Sequence, residues 1–329
     1  MPKLRIGFIG CGGIHHAHAP HLAESKDATI VCAMDVSAEA AQAHCEKYGT
    51  KHSTTDRAEL LARDDVDAVV ICTPTGYHKE AVLEAAAAGK HIFCEKPMAM
   101  TVADCEAMQR ACTEAGVVLQ IGFVRHFCNE WLKLREIIQA GMIGRPVVWR
   151  SVSGGSGAPT PWFFDKEIGG GPFIDGAVHS YDWARFTFGE ATNVVTDIRR
   201  LKSGTTAWDT GTVIVNFASG DQQLLAWSWG LPGFGYGVPA DSAHDVLGPL
   251  GSIMFPGDNQ LRVNLADGEH LVEFEADSGS DWFGKQMAHF IHCCRSGEQP
   301  VAGAREGIEA TRIAQAALSV GDRPAIIEL

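Results

Sequence analysis

No run of about eighteen consecutive apolar residues occurs in the chain, so no segment reads as a membrane-spanning helix. Positive charge is scarce. Lys and Arg number 27 against 40 Asp and Glu, a net charge of −13. That deficit argues against nucleic acid or an anionic membrane surface as a partner. Paired cysteines are missing as well: ten cysteines are scattered with no C-x-x-C spacing. The pattern suits a reducing compartment better than a disulfide framework. An apolar run begins at Leu4 and leaves no span for a secretory leader, so cytoplasmic residence is the expectation. There is no internal repeat and no low-complexity linker. His15, His16, His18 and His21 crowd one early segment, and His289, His292, Cys293 and Cys294 a late one. Neither cluster has the spacing of a structural zinc site, and no metal is expected.

What is present begins with glycine. At 329 residues, 46% of them apolar, the chain is long enough for about two domains with sizeable cores. Leu4, Ile6, Phe8 and Ile9 form a strand-like run that enters Gly10-Cys11-Gly12-Gly13-Ile14 and then a helical stretch. A strand that stops in glycines and restarts as a helix presents bare N–H groups and a positive dipole end to a phosphate. An acidic residue is then expected about 20 residues on, at the end of the next strand. Ala28 to Met34 reads as that strand, and Asp35 follows it. Its carboxylate suits a ribose diol. A 2′-phosphate beside it would meet like charge, which favours NAD over NADP. Val36 and Ser37 offer no arginine to relieve that repulsion. The third glycine position of the motif holds His15, whose ring would sit near the pyrophosphate and keep the helix off the strand.

Strand and helix alternate through roughly the first 120 residues. Val66–Ile71, Lys90–Cys94 and Val117–Ile121 read as strands, and Gly76–Ala88 and Thr101–Ala115 as helices ended by Gly89 and Gly116. Such alternation predicts a doubly wound parallel sheet. After a helix near Cys128–Ala140 the pattern turns strand-rich: Val147–Val152, Asn193–Leu201, Thr210–Phe217, Gln222–Trp229 and shorter pieces to Phe274. Helices near Trp282–Arg295 and Arg305–Leu318 follow. The fold class is therefore α/β: an N-terminal Rossmann domain over 1–123, then an α+β domain over 124–329 with a large, open, mostly antiparallel sheet. The boundary is expected within Gly122–Asn129.

Two segments could carry chemistry. Cys94-Glu95-Lys96-Pro97 follows the fifth strand, and ligands of open parallel sheets sit beyond the carboxyl ends of the strands. Lys96 is thereby placed near the reactive end of a bound dinucleotide. The second segment runs from Gly169-Gly170-Gly171-Pro172 through Asp175 and His179 to Asp182. Pro172 suits the first turn of a helix, on which Asp175 and His179, four apart, would share a face. A helix needs three opening glycines only where another backbone or a ligand comes close. Just before them lies the aromatic loop Ala158 to Phe164, whose Trp162 could stack on a sugar or pack at a subunit contact.

Together these segments resemble the glucose–fructose oxidoreductase/inositol dehydrogenase/MocA family. The resemblance rests on Thr73-Pro74-Thr75-Gly76-Tyr77-His78, then Ala81, Ala85, Gly89-Lys90-His91 and Cys94-Glu95-Lys96-Pro97, and on the Gly169-to-Asp182 segment. It departs from the family at His15, which replaces a small residue, and at Thr75, where asparagine is common. The resemblance implies NAD(P)-dependent oxidation or reduction of sugars, cyclitols or related polyols. It implies that Lys96, Asp175 and His179 match the active-site lysine, aspartate and histidine. It also implies that Gly10, Gly12, Gly13, Ile14, Asp35, Thr73, Pro74, His78, Glu95, Lys96 and Arg125 face the cofactor. Trp162 joins the catalytic residues as a substrate contact, and a homodimer or homotetramer is expected by the same analogy. The alternatives on the same fold are a non-catalytic NAD-binding regulator and an NAD-dependent glycosidase.

Overall fold

The computed structural model describes residues 2–231, 244–257, 259–278 and 281–329. The chain divides into two compact units, Met1–Phe127 with Ser278–Ile308, and Cys128–Asp277 with Glu309–Leu329.

The first unit is built on β1 (Leu4–Ile9), β2 (Ala28–Met34), β3 (His52–Thr54), β4 (Ala68–Ile71), β5 (His91–Cys94) and β6 (Leu119–Ile121). All six are parallel, in the order β3-β2-β1-β4-β5-β6. That is the doubly wound Rossmann order, whose ligand crevice opens where the order reverses, between β1 and β4. Helices α1 (His15–Ala23), α2 (Ala38–Tyr48), α3 (Arg57–Leu61), α4 (His78–Ala87) and α5 (Val102–Ala115) connect the strands. Their ends follow local chemistry. Ser37 Oγ accepts from Ala40 N–H and caps α2, Thr101 Oγ1 accepts from Asp104 N–H and caps α5, and Gly49 and Gly116 end these helices at φ +70° and +66°. The core joins Ile6, Phe8, Leu22, Val70 and Phe93 to Met287, Phe290 and Ile291. Those last three lie on α8 (Asp281–Ser296), which packs on α1. The sequence reading gave α8 to the second domain. An amphipathic pattern shows that a helix has an apolar face, not which sheet that face covers.

Among the described residues the second unit carries nine strands: β7 (Val148–Gly154), β8 (Ala191–Arg199), β9 (Thr210–Phe217), β10 (Gln222–Ser228), β11 (His244–Gly248), β12 (Gly251–Gly257), β13 (Gln260–Leu265), β14 (Gly268–Glu273) and β15 (Ala325–Glu328). Their order is β14-β13-β12-β11-β7-β10-β9-β8-β15, antiparallel throughout except where β7 and β10 run parallel. Burial alternates along the strands: Val213, Val215 and Phe217 are buried while Ile214 and Asn216 are half-covered. Helices α6 (Asn129–Gln139) and α7 (Val178–Phe188) supply Trp131 and Trp183, whose rings lie 5.7 and 4.9 Å from Trp149 of β7. α9 (Ala304–Leu318) ends in this unit, where Thr196 of β8 donates its hydroxyl to Ala317 O. Sequence reading missed β3, α2, α3 and β15, which are short or polar.

Candidate active site

In the first unit the glycine loop crosses close over the end of β4. Gly10 has φ +93°, and a Cβ there would lie 2.8 Å from the Cys72 carbonyl carbon and 2.9 Å from Thr73 N. No L side chain fits that crossing. At Gly12 and Gly13 a Cβ would meet nothing within 4 Å, so the space over the loop is open. No side chain caps the start of α1. His16 and Ala17 N–H donate to the Gly13 and Ile14 carbonyls at 3.3 and 2.9 Å, so the place for a phosphate is the glycine loop just ahead of the helix.

A cavity of about 430 Å³ opens beside this loop, lined by Gly10, Gly12, Asp35, Val36, Arg57, Thr73, Pro74 and Tyr77 together with Ile9, Met34 and Cys72. Asp35 is fixed at its rim: Oδ2 accepts from Cys11 N–H (2.7 Å) and Oδ1 from Ser37 N–H (2.9 Å). The Thr73 hydroxyl, buried on the same wall, has no hydrogen-bond partner among the described residues. A cleared glycine loop, an uncapped helix start, an oriented carboxylate and an orphaned hydroxyl fit an adenine dinucleotide. Of the residues expected at the cofactor, Gly10, Gly12, Asp35, Thr73 and Pro74 thus come together on one wall.

The others stand around that wall in different ways. Gly13 and Ile14 lie in the loop, and Ile14 is partly exposed. His78 is buried and bridges two strand-end loops, with Nδ1 2.8 Å from Pro97 O and Nε2 2.8 Å from Thr73 O. Burial pushes its pKa below the ordinary histidine value. Glu95 also points inward: Oε1 lies 2.6 Å from Nε2 of the fully buried His18, and Oε2 accepts from Lys96 N–H (3.0 Å). Burial raises the Glu95 pKa, but the His18 hydrogen bond and the neighbouring positive charges outweigh it and hold the carboxyl below its ordinary value. A Cβ on Gly122 would press on this carboxylate at 3.0 Å. His78 and Glu95 therefore brace the loops from beneath. Lys96 follows β5, half-buried, and its peptide bond to Pro97 is cis. Arg125 lies half-buried on the 3-10 turn Val124–Phe127 that follows β6.

The His15 ring is buried against Phe8, His16 and His44, and its Nδ1 pairs with Gly12 O, so it fills the interior beside the glycine loop. Burial lowers its pKa, and lowers that of His44 to about 4. Among the described residues no three His, Cys, Asp or Glu side chains group as metal ligands would.

In the second unit Pro172–Gly176 forms a single π turn, closed by Ala177 N–H to Pro172 O (2.7 Å), ahead of α7. Asp175 is buried in that wide turn, and His179 is half-buried in the first turn of α7. The uniform helix expected to give them one face is thus interrupted. π turns inside helical segments are frequent at functional sites. Asp182 is buried further along α7. The preceding glycines are explained by backbone: a Cβ on Gly169 would lie 2.6 Å from Phe163 Cα, and one on Gly171 (φ +78°) 2.6 Å from Trp208 O. Trp162 stacks on Phe163 with ring centroids 3.7 Å apart and lines a cavity of about 480 Å³ with Pro159, Pro161, Phe164 and Lys202.

Sequence reasoning missed Arg57, Tyr77 and His18. Tyr77 lay inside a quoted motif, and His18 inside a noticed cluster. Arg57 follows the overlooked β3, where Asp56 as a helix cap was the available signal.

Comparison with known proteins agrees with this architecture. Residues 4–123 match the model of the oxidoreductase family with an NAD-binding Rossmann fold, and residues 131–254 that of the GFO/IDH/MocA C-terminal domain. The chain is 32% identical to myo-inositol 2-dehydrogenase of Thermotoga maritima over 95% of both chains. It superimposes on aldose-aldose oxidoreductase of Caulobacter crescentus, crystallised with glycerol, at TM-score 0.83, 26% identity and 100% of both chains. Levoglucosan dehydrogenase in complex with NADH and levoglucosan shares the fold at TM-score 0.86, with 23% identity and 99% of both chains covered. With a parallel sheet in Rossmann order, a cleared glycine loop and a relative matched over nearly its whole length, this chain belongs to the Gfo/Idh/MocA family of NAD-binding oxidoreductases.

Proposed function

We propose that the chain is an NAD-dependent dehydrogenase that oxidises a hydroxyl of a sugar, cyclitol or related polyol, and reduces the carbonyl in reverse. The observation that carries the reading is the cavity of about 430 Å³ over the glycine loop, with Asp35 and the orphaned Thr73 hydroxyl on its wall. The named substrates of the relatives, an inositol, an aldose and levoglucosan, share a polyhydroxylated ring or chain. Bound NAD supplies the hydride-accepting ring. The N–H groups of Gly12, Gly13 and Ile14 bind its pyrophosphate, and Asp35 accepts from its ribose hydroxyls. His179 takes the hydroxyl proton as general base. Lys96 hydrogen-bonds the same oxygen and polarises it when it becomes a carbonyl. Asp175 orients His179 or holds a neighbouring hydroxyl, and Trp162 offers a stacking face to the sugar.

The relevant test separates chemistry from cofactor binding. Lys96→Ala and His179→Ala each lower kcat by at least about 100-fold, within the range of general acid–base contributions. NADH affinity stays within about twofold of the parent, since the pyrophosphate and ribose contacts lie elsewhere. Unchanged turnover in both variants removes the assignment. Following NADH absorbance during turnover also discriminates: a glycosidase releases its leaving group without net NADH, and a regulator releases nothing. The thiols suit a reducing cytoplasm, since none of the ten cysteines is in a disulfide and nine are buried. No helix among the described residues is long and apolar enough to cross a membrane. A homodimer or homotetramer is supported by exposed apolar side chains on the large sheet, among them Val152, Leu247 and Ile326.

A further inference from the structure

Arg57 opens α3 on the wall of the dinucleotide cavity, directly after Asp56, which caps that helix through Ala58 N–H. Its guanidinium is clasped by Glu84 of α4: Nε donates to Oε2 and Nη2 to Oε1, both at 2.6 Å. The Arg57 side chain is 23% exposed and that of Glu84 48%. The hydrogen bonds with Glu84 raise the arginine's pKa, and those from Arg57 lower that of the carboxyl. An ion pair this open to water adds little to stability. Its place is the informative part. The same wall carries Asp35, the ribose-side carboxylate, and the exposed Val36.

We propose that Glu84 sets the preference of this chain for NAD over NADP by holding Arg57 out of service as a phosphate ligand. An arginine near the adenosine ribose is the group that accommodates a 2′-phosphate. Here one of its donor edges and its charge are already answered by Glu84. The guanidinium keeps a flat face that can lie against a purine, while its Nε/Nη2 edge is occupied and its charge is neutralised by the Glu84 carboxylate. Two carboxylates then act in concert. Asp35 repels a 2′-phosphate, and Glu84 withholds the cation that would offset the repulsion. The inference rests on the dinucleotide reading above and deepens it.

The experiment is calorimetric titration of the purified chain with NADH and with NADPH, without substrate. The variants are Glu84→Gln, Glu84→Ala, Arg57→Ala and the double Glu84→Gln/Arg57→Ala. Both Glu84 variants lower the ratio of the NADPH to the NADH Kd by about fivefold to tenfold, the effect of uncovering one positive charge near a phosphate at a partly hydrated surface. Arg57→Ala alone leaves the ratio within about twofold, because its charge was already answered. The double variant loses the gain. A ratio unmoved by either Glu84 substitution overturns the proposal, as does a gain that survives removal of Arg57. A well-folded parent chain that binds neither nucleotide overturns the dinucleotide reading itself, a different result from an unmoved ratio.

Discussion

The glycine loop after β1 and the glycine run before the π turn read alike as sequence, yet a Cβ added to each meets different surroundings. At Gly12 and Gly13 it meets nothing within 4 Å. At Gly169 and Gly171 it runs into the backbone of Phe163 and Trp208 at 2.6 Å, and at Gly176 into Trp227 and Trp229 at 3.0 Å. In the first unit Gly10 serves a close backbone crossing, where a Cβ would lie 2.8 Å from the Cys72 carbonyl carbon, while Gly12 and Gly13 leave space beside a helix start. The second unit uses glycine to let backbone and indole rings close on a wide turn. A glycine cluster is therefore evidence for a ligand only where the protein itself leaves the vacated volume empty.

The contrast can be broken by substitution. Gly171→Ala costs about 2 to 5 kcal/mol, combining a left-handed φ with overpacking against Trp208 O, and urea unfolding monitored by tryptophan fluorescence reads the loss. A cost under about 0.5 kcal/mol refutes the packing account of that run. The first unit depends instead on buried polar contacts. His18→Leu leaves the Glu95 carboxylate without its 2.6 Å partner and costs about 3 kcal/mol in the same assay. Wild-type stability in that variant shows that the pair is dispensable.

The histidine stack gives the first unit a sensitivity to acid. Burial holds His44 near a pKa of about 4, and His15 also below its ordinary value. The unfolded chain therefore takes up these protons more readily than the folded one. The associated stability is complete above about pH 6.5, the unfolded value, and drains away as the pH falls toward about 4. His44 alone accounts for about 2 to 3 kcal/mol of that slope. Melting temperatures across this range fall less steeply for His44→Gln than for the parent, and parallel curves contradict the assignment. The smallest effect on stability belongs to Gly12→Ala, within about 0.5 kcal/mol of the parent. NADH binding nevertheless weakens about tenfold, because a methyl group there keeps a phosphate from its N–H donors. If that binding is untouched, the open space over the loop serves something else.

Several elements were legible because their signals are local. The strands Leu4–Ile9, Ala28–Met34 and Thr210–Phe217 carry the apolar runs or alternation of their burial, and the helices before Gly89 and Gly116 carry their stops. β3 and β15 have three and four residues, too few for a periodicity to show. The cofactor wall was partly legible. Gly10, Gly12, Asp35, Thr73 and Pro74 lie in motifs, whereas Arg57 reaches the cavity from a segment with no motif. His15 shows the limit of position-by-position reading. A motif says which chain position stands near the phosphate side, and packing against Phe8 and His44 decides where the ring goes.

By itself the amino-acid order determined the alternation that makes a parallel sheet, the glycine loop with its acidic partner, and the positions of Lys96, Asp175 and His179 along the chain. Those are properties of short segments, set by backbone sterics, hydrogen-bonding capacity and side-chain period. Only the tertiary structure decided that α8 buries its apolar face on the first unit, that Glu95 and His78 turn inward, that a π turn carries Asp175, and that Glu84 holds Arg57 at the cavity. Each of these depends on groups far apart in the chain competing for the same volume or the same hydrogen bond, and that competition exists only after folding has brought them together.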